Sequence, residues 1–195
     1  PSAPVHVPTD DTSGHAYDVV VSGTSLLIAD GVGGLRVVSV AAPASPWLQG
    51  VYHTRGPARA VAVEPSRAYV VDAHEGLLVL DLSNPVTPSL LGKVAFHAGE
   101  AIAVANGVAC VVDGNNHLFM IDPRVPTAPV LAGSHVIEGA VGHSVVLNGR
   151  HAYVSALDAG LLVLDVGDPT AITRIRDVPV AAQGQSVSSA MSGTT

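Results

Sequence analysis

The chain has 195 residues, 48% of them hydrophobic and only 13% charged, with a net charge of −7. One lysine stands beside eight arginines and aromatics are 4%, which excludes the basic, aromatic-studded surface that grips a nucleic-acid backbone and its bases. Mean hydropathy is high at +0.42, yet no run approaches the roughly 18 uninterrupted apolar residues of a membrane helix, so no membrane insertion by this chain is expected.

The apolar residues, mostly Val, Leu and Ala, come in short runs cut by 20 glycines and 14 prolines. That is the pattern of short buried strands joined by tight turns. Taken in chain order, residues 1–13 hold APVHVP at 3–8, which reads as a stray outer strand. Four repeats follow, at about 14–55, 56–98, 99–141 and 142–183. Their clearest segments are GLRVVSVAAPASPWLQG from Gly34, GLLVLDLSNPVTPSLLG from Gly76, HLFMIDPRVPTAPVLAG from His117 and GLLVLDVGDPTAITRIR from Gly160. The steps between them are 42, 41 and 43 residues. A period of this size built from β-type runs predicts an array or a propeller. Residues 184–195 start a fifth repeat or form a closing strand.

The second repeat divides into strand a at 60–63, strand b at 68–72, strand c at Gly76–Asp81 and strand d at 89–96. In strand c, Leu77 and Val79 must face one side and Leu78 and Leu80 the other. Both sides are apolar, so each blade needs a neighbour on both faces, and closing blades into a ring supplies them. Asp81, Asp122 and Asp165 end strand c, with Ser39 in the first repeat; their oxygens are placed to cap the amides of the next turn. Pro43, Pro85, Pro126 and Pro169 then mark a corner. Gly50, Gly92 and Gly133 follow within strand d, and Arg176 replaces the glycine in the fourth repeat. The expected fold is therefore all-β: a propeller of four-stranded antiparallel blades with four complete blades. It is either part of a larger ring or a four-bladed ring whose ends pair as a clasp. Spare strand at both ends favours the part of a larger ring.

Cys110 is the single cysteine, so no internal disulfide and no paired-cysteine metal or haem motif is available. It stands in VACVVD where the other repeats have Leu27, Tyr69 and Tyr153, which marks a core position. The chain opens PSAPVHVP without an initiator methionine, as a processed exported protein or an excised piece would.

Candidate chemistry is sparse. No GxSxG, Walker loop or dinucleotide fingerprint occurs. Of nine histidines, His53, His97 and His135 lie in or near strands d, out of phase with one another. The set His15, Glu100 and His143 is better placed. Each follows a phased glycine (Gly14, Gly99, Gly142) at the start of strand a, the innermost strand of a propeller. Two imidazoles and a carboxylate at a channel mouth would suit a transition metal. Aligned on strand b instead, Glu100 and His143 match Tyr17 and Arg59, and His15 drops out. Asp30, Asp72, Asp113 and Asp158 occupy the b–c loops, with His74 and Glu75 beside Asp72; tight turns call for such residues. No catalytic residue and no bound cofactor are expected beyond that one metal candidate.

The run ARAVAVEPSRAYVVDAHEGLLVLDLSNPVTP, at 58–88, resembles the LVIVD repeat family nearly throughout. The other repeats depart from it at Ser39, His117 and Ile172. The resemblance spans about 14–183. It implies β-propeller repeats in exported or surface-associated proteins, hence a periplasmic, cell-surface or extracellular location, and it carries over no catalytic residue. The expected function is a binding or structural module that meets a protein partner or a larger assembly; the alternative is a propeller enzyme or metal-binding domain working at the channel mouth.

Overall fold

The computed structural model describes residue 12 and residues 14–156 and 159–179; the expected strand at 3–8, Asp158 and the segment 184–195 lie outside them. Among the described residues sixteen strands form four separate sheets. The first holds β1 (Asp18–Ser22), β2 (Ser25–Ala29), β3 (Leu35–Ser39) and β4 (Trp47–Tyr52). The second holds β5 (Ala58–Glu64), β6 (Arg67–Asp72), β7 (Gly76–Asp81) and β8 (Ser89–Val94). The third holds β9 (Gly99–Ala105), β10 (Val108–Asp113), β11 (His117–Asp122) and β12 (Val130–Val136). The fourth holds β13 (Gly142–Asn148), β14 (His151–Ala156), β15 (Gly160–Asp165) and β16 (Thr173–Val178). Strand order follows the chain in every sheet and all neighbours are antiparallel. This is the expected β-propeller architecture, one sheet per repeat.

Local chemistry explains the hairpins. The turn from β9 to β10 places Asn106 and Gly107 at φ of 54° and 72°, the left-handed pair that a two-residue hairpin requires. The two apolar faces of each sheet explain the stacking. In the second blade Tyr69, Val71, Leu77 and Val79 pack toward the third blade, while Ala68, Val70, Leu78 and Leu80 pack toward the first. All eight are fully buried, and each large side chain contributes about 1.5–3 kcal/mol of burial. Three such cores join first to second, second to third and third to fourth blades. Cys110 lies in the third of them, and burial pushes its thiol pKa up, as expected of a core residue.

The corners behave as the sequence implies. Asp81, Asp122 and Asp165 accept hydrogen bonds from the backbone amides of Ser83, Arg124 and Gly167 at 2.8, 3.0 and 3.0 Å. The side chain of Arg124, reinforced by its amide, holds the Asp122 carboxyl down at about 2. The strand-d glycines have a further role that pattern alone does not reveal. A Cβ on Gly50, Gly92 or Gly133 would sit 2.2, 2.5 or 1.7 Å from the carbonyl oxygen of Pro85, Pro126 or Pro169. Each glycine admits the proline corner of the following blade.

The glycines before strand a do not all share one place. The pairings Ala58↔Asp72, Gly99↔Asp113 and Gly142↔Ala156 make Gly99 and Gly142 the equivalents of Ala58. Gly56 lies two residues earlier. The even steps between phased glycines therefore join two structural positions, and alignment on strand b gives the true register.

Candidate functional site

The first residues of the inner strands β1, β5, β9 and β13 surround a cavity of about 400 Å³. Its charged and aromatic lining is Tyr17, Asp18, Arg59, Glu100 and His143. Three of these side chains owe their position to the same backbone irregularity. In the second blade Ala58 pairs with Asp72 and Ala60 with Val71, which leaves Arg59 as an extra residue. Glu100 is the extra residue between Gly99 and Ala101, and His143 between Gly142 and Ser144. A β-bulge at a strand end re-aims one side chain out of the ladder, and here it does so in three successive blades. Tyr17 takes the corresponding place in the first blade, directly before Asp18, which pairs with Ala29 as Ala60 pairs with Val71.

The four positions thus carry an aromatic ring, a guanidinium, a carboxylate and an imidazole. The Arg59 guanidinium lies 4.4 Å from the centroid of the Tyr17 ring, a cation–π contact that holds the charged group over the ring face. Asp18 accepts a hydrogen bond from the Val61 amide at 2.9 Å, tying the first inner strand to the second. Arg59 Nε and His143 Nε2 are buried without a hydrogen-bond partner. Chemically the ring is suited to holding charged or polar groups of either sign.

Of the residues singled out from sequence, Glu100 and His143 meet at this cavity, whereas His15 is exposed and is not among its lining residues. Among the described residues no group of three His, Cys, Asp or Glu side chains is placed to hold a metal ion. Tyr17 and Arg59, absent from the primary set, belong to the site. Alignment on strand b is the sequence signal that finds them.

The loop aspartates serve the backbone. Asp72 is fully buried. Its carboxylate accepts from the amides of Gly56 at 2.7 Å, His74 at 2.7 Å and Glu75 at 2.8 Å. Asp113 accepts from Asn115 and His117 at 2.9 and 2.7 Å. Asp30 accepts from Gly14 at 3.2 Å and from Arg36 Nε at 2.9 Å. Glu75 pairs with Lys93 at 2.7 Å. Asp30, Asp72 and Asp113 are turn-forming carboxylates, as their positions suggest.

A propeller of short-looped blades around a polar channel mouth is the class of protein defined by this fold and site. The LVIVD repeat matches four times, at residues 13–54, 55–95, 98–136 and 141–178, and the chain belongs to the LVIVD repeat family. No curated protein matches it. Solved structures do. The computationally designed Ika8 protein superposes with a TM-score of 0.70 at 11% identity, over 92% of this chain and 53% of its own. The beta-propeller domain of Cps50 (Swd1) from Myceliophteria thermophila gives 0.66 at 16% identity, over 86% and 60%. A functionally unknown protein from Desulfotomaculum acetoxidans gives 0.71 at 13% identity, over 87% and 57%. The chain spans between about half and three-fifths of the length of these structures, and at such identities the likeness is one of fold.

Proposed function

We propose that this chain is a non-catalytic binding and structural module that makes protein–protein contacts within an exported or cell-surface assembly. One observation carries the reading. The outermost strands present an apolar stripe in register around the rim: Leu48, Leu90 and Leu131 occupy the same place in β4, β8 and β12. They are 40%, 42% and 50% exposed. Trp47 and Val130 extend the stripe, and Val86 and Val125 add exposed apolar groups at the corners. Single exposed apolar residues are ordinary, but the same position left apolar and exposed in three successive blades supports a contact surface. Loops of this fold are short and serve their own turns, so the rim is the broad surface on offer. Export rests on the family resemblance. No helix long and apolar enough to cross a membrane occurs among the described residues.

The test compares the wild-type chain with a Leu48→Glu, Leu90→Glu, Leu131→Glu variant as bait on the envelope fraction of the native source. A protein retained by the wild type and lost by the folded variant supports the reading. Equal retention by both, or none by either, overturns it.

A further inference from the structure

The bulge that opens the inner strand of three consecutive blades presents a guanidinium, a carboxylate and an imidazole: Arg59 in β5, Glu100 in β9 and His143 in β13. These strands pack against one another in that order. All three residues are half-buried and line the same cavity. Elsewhere the charges of this protein are put to use. Asp18, at the same mouth, accepts hydrogen bonds from the Val19 and Val61 amides at 2.8 and 2.9 Å. Arg36 pairs with Asp30, Lys93 with Glu75 and Arg150 with Asp165. Arg59 and Glu100 carry opposite charges on neighbouring strands, yet among the described residues neither belongs to an ion pair. Arg59 Nε and His143 Nε2 are moreover buried without a hydrogen-bond partner. Buried polar groups are nearly always paired, and orphaned ones cost stability. Three neighbouring groups left unmatched around one cavity are groups kept for something that enters it.

We propose that the channel mouth binds a small zwitterion of the α-amino acid class, with its carboxylate on Arg59 and its ammonium on Glu100. His143 Nε2 supplies a further hydrogen-bonding nitrogen. The charges of the lining require both signs on one ligand. An anion alone would meet Arg59 but also the carboxylates of Asp18 and Glu100. A cation alone would meet Glu100 but also Arg59. A zwitterion sets each charge against its opposite, and charge-assisted hydrogen bonds of this kind are the strong ones. An uncharged sugar would leave both charges unmatched, and the Tyr17 ring face it would stack on is already covered by Arg59. For a metal ion the donor set is lacking, since no three His, Cys, Asp or Glu side chains among the described residues are grouped to hold one. The cavity, about 400 Å³, lies toward the small end of the roughly 300–1,000 Å³ typical of small-ligand sites. Ala60, Ala101 and Ile102 also line it and suit a modest apolar side chain. This site is on the innermost strands and the leucine stripe is on the outermost, so the inference does not rest on the proposed function.

Titration of the protein with L-leucine, followed by NMR chemical shifts, tests the site. The controls are 4-methylpentanoate, which lacks the ammonium, and 3-methylbutylamine, which lacks the carboxylate. L-leucine should bind at least about tenfold more tightly than either, the loss expected for a missing charged hydrogen bond. Glu100→Gln should weaken L-leucine by a similar factor yet bind 4-methylpentanoate at least as well as the wild type does, because a repulsion is removed. Arg59→Gln should weaken L-leucine and spare 3-methylbutylamine. A residue that only held the fold would weaken all three compounds alike. Circular dichroism melts establish that each variant is folded; should Arg59→Gln fail, Arg59→Lys, which keeps the charge and loses the planar fork, should still weaken L-leucine. The triple leucine-to-glutamate variant of the rim should bind L-leucine as the wild type does, which separates this site from the rim surface. No binding of L-leucine at about 10 mM overturns the inference. So does binding of either control as tight as that of L-leucine, and so does L-leucine binding that neither variant changes.

Discussion

Asp72 takes three amide hydrogen bonds while fully buried, and it joins the b–c loop to the segment that leads into its own blade's inner strand. Hydrogen bonds to a charged group are worth about 1.5–3 kcal/mol, and leaving buried amides unpaired costs a similar amount. Asp72→Ala should therefore lower stability by about 2–4 kcal/mol in urea unfolding. Asp81→Ala, at a solvent-facing corner with one such amide bond, should cost clearly less. Equal losses would mean that burial does not set the difference. Tyr69 supplies a pH signature. Burial first, and then its hydrogen bond to Glu64 at 2.7 Å, push its phenol up to about 12, whereas an unfolded tyrosine titrates near 10. The folded state thus keeps a proton that the unfolded chain releases first. This contribution is fully present below pH 10 and is lost as pH rises through 12. Thermal unfolding between pH 9 and 12 should show that decline, and Tyr69→Phe should flatten it; an unchanged slope in the variant would assign the decline to other groups.

At the scale of elements, two irregularities in otherwise regular strands decide how blades meet. The bulge at the start of β5, β9 and β13 lifts Arg59, Glu100 and His143 out of the ladder and into the channel mouth. The glycine in β4, β8 and β12 leaves room for the next corner. With the Gly133 Cβ position 1.7 Å from the Pro169 carbonyl oxygen, the backbone of one blade must retreat from the other to admit even a methyl group. Overpacking of this kind costs about 1–3 kcal/mol. Gly133→Ala should lower the urea midpoint accordingly, and Gly92→Ala, whose nearest atom lies at 2.5 Å, should do so by no more. A midpoint that does not move would show that the corners are free to slide.

At the scale of the molecule, the four sheets and their order are legible in the sequence, because each depends on information local in the chain. The alternation in GLLVLD, the Asp-to-Pro corner and the turn residues sit within a few positions of what they control. The candidate site was half legible. The glycine count picks out Glu100 and His143 but sets His15 beside them, whereas Tyr17 and Arg59 are the residues that line the cavity. Gly56 and Gly99 look alike when glycines are counted but fill different structural positions: Asp113 pairs with Gly99, whereas Asp72 pairs with Ala58, two residues after Gly56. The role of the strand-d glycines was hidden for a related reason: their partners lie in the next repeat.

The sequence by itself determined the repeat, the four-stranded blade, the two apolar faces and the core place of Cys110. Hydrophobic alternation and turn chemistry act over a handful of residues, and each can be read where it stands. Tertiary structure decided which of two sequence registers holds, bringing Tyr17 and Arg59 to the channel mouth with Glu100 and His143, and that each strand-d glycine seats the next blade's corner. Both depend on the relative placement of strands about 42 residues apart, where a one-residue bulge redirects a side chain. The chain specifies a blade and, through the two apolar faces and the strand-d glycine, how one blade seats on the next.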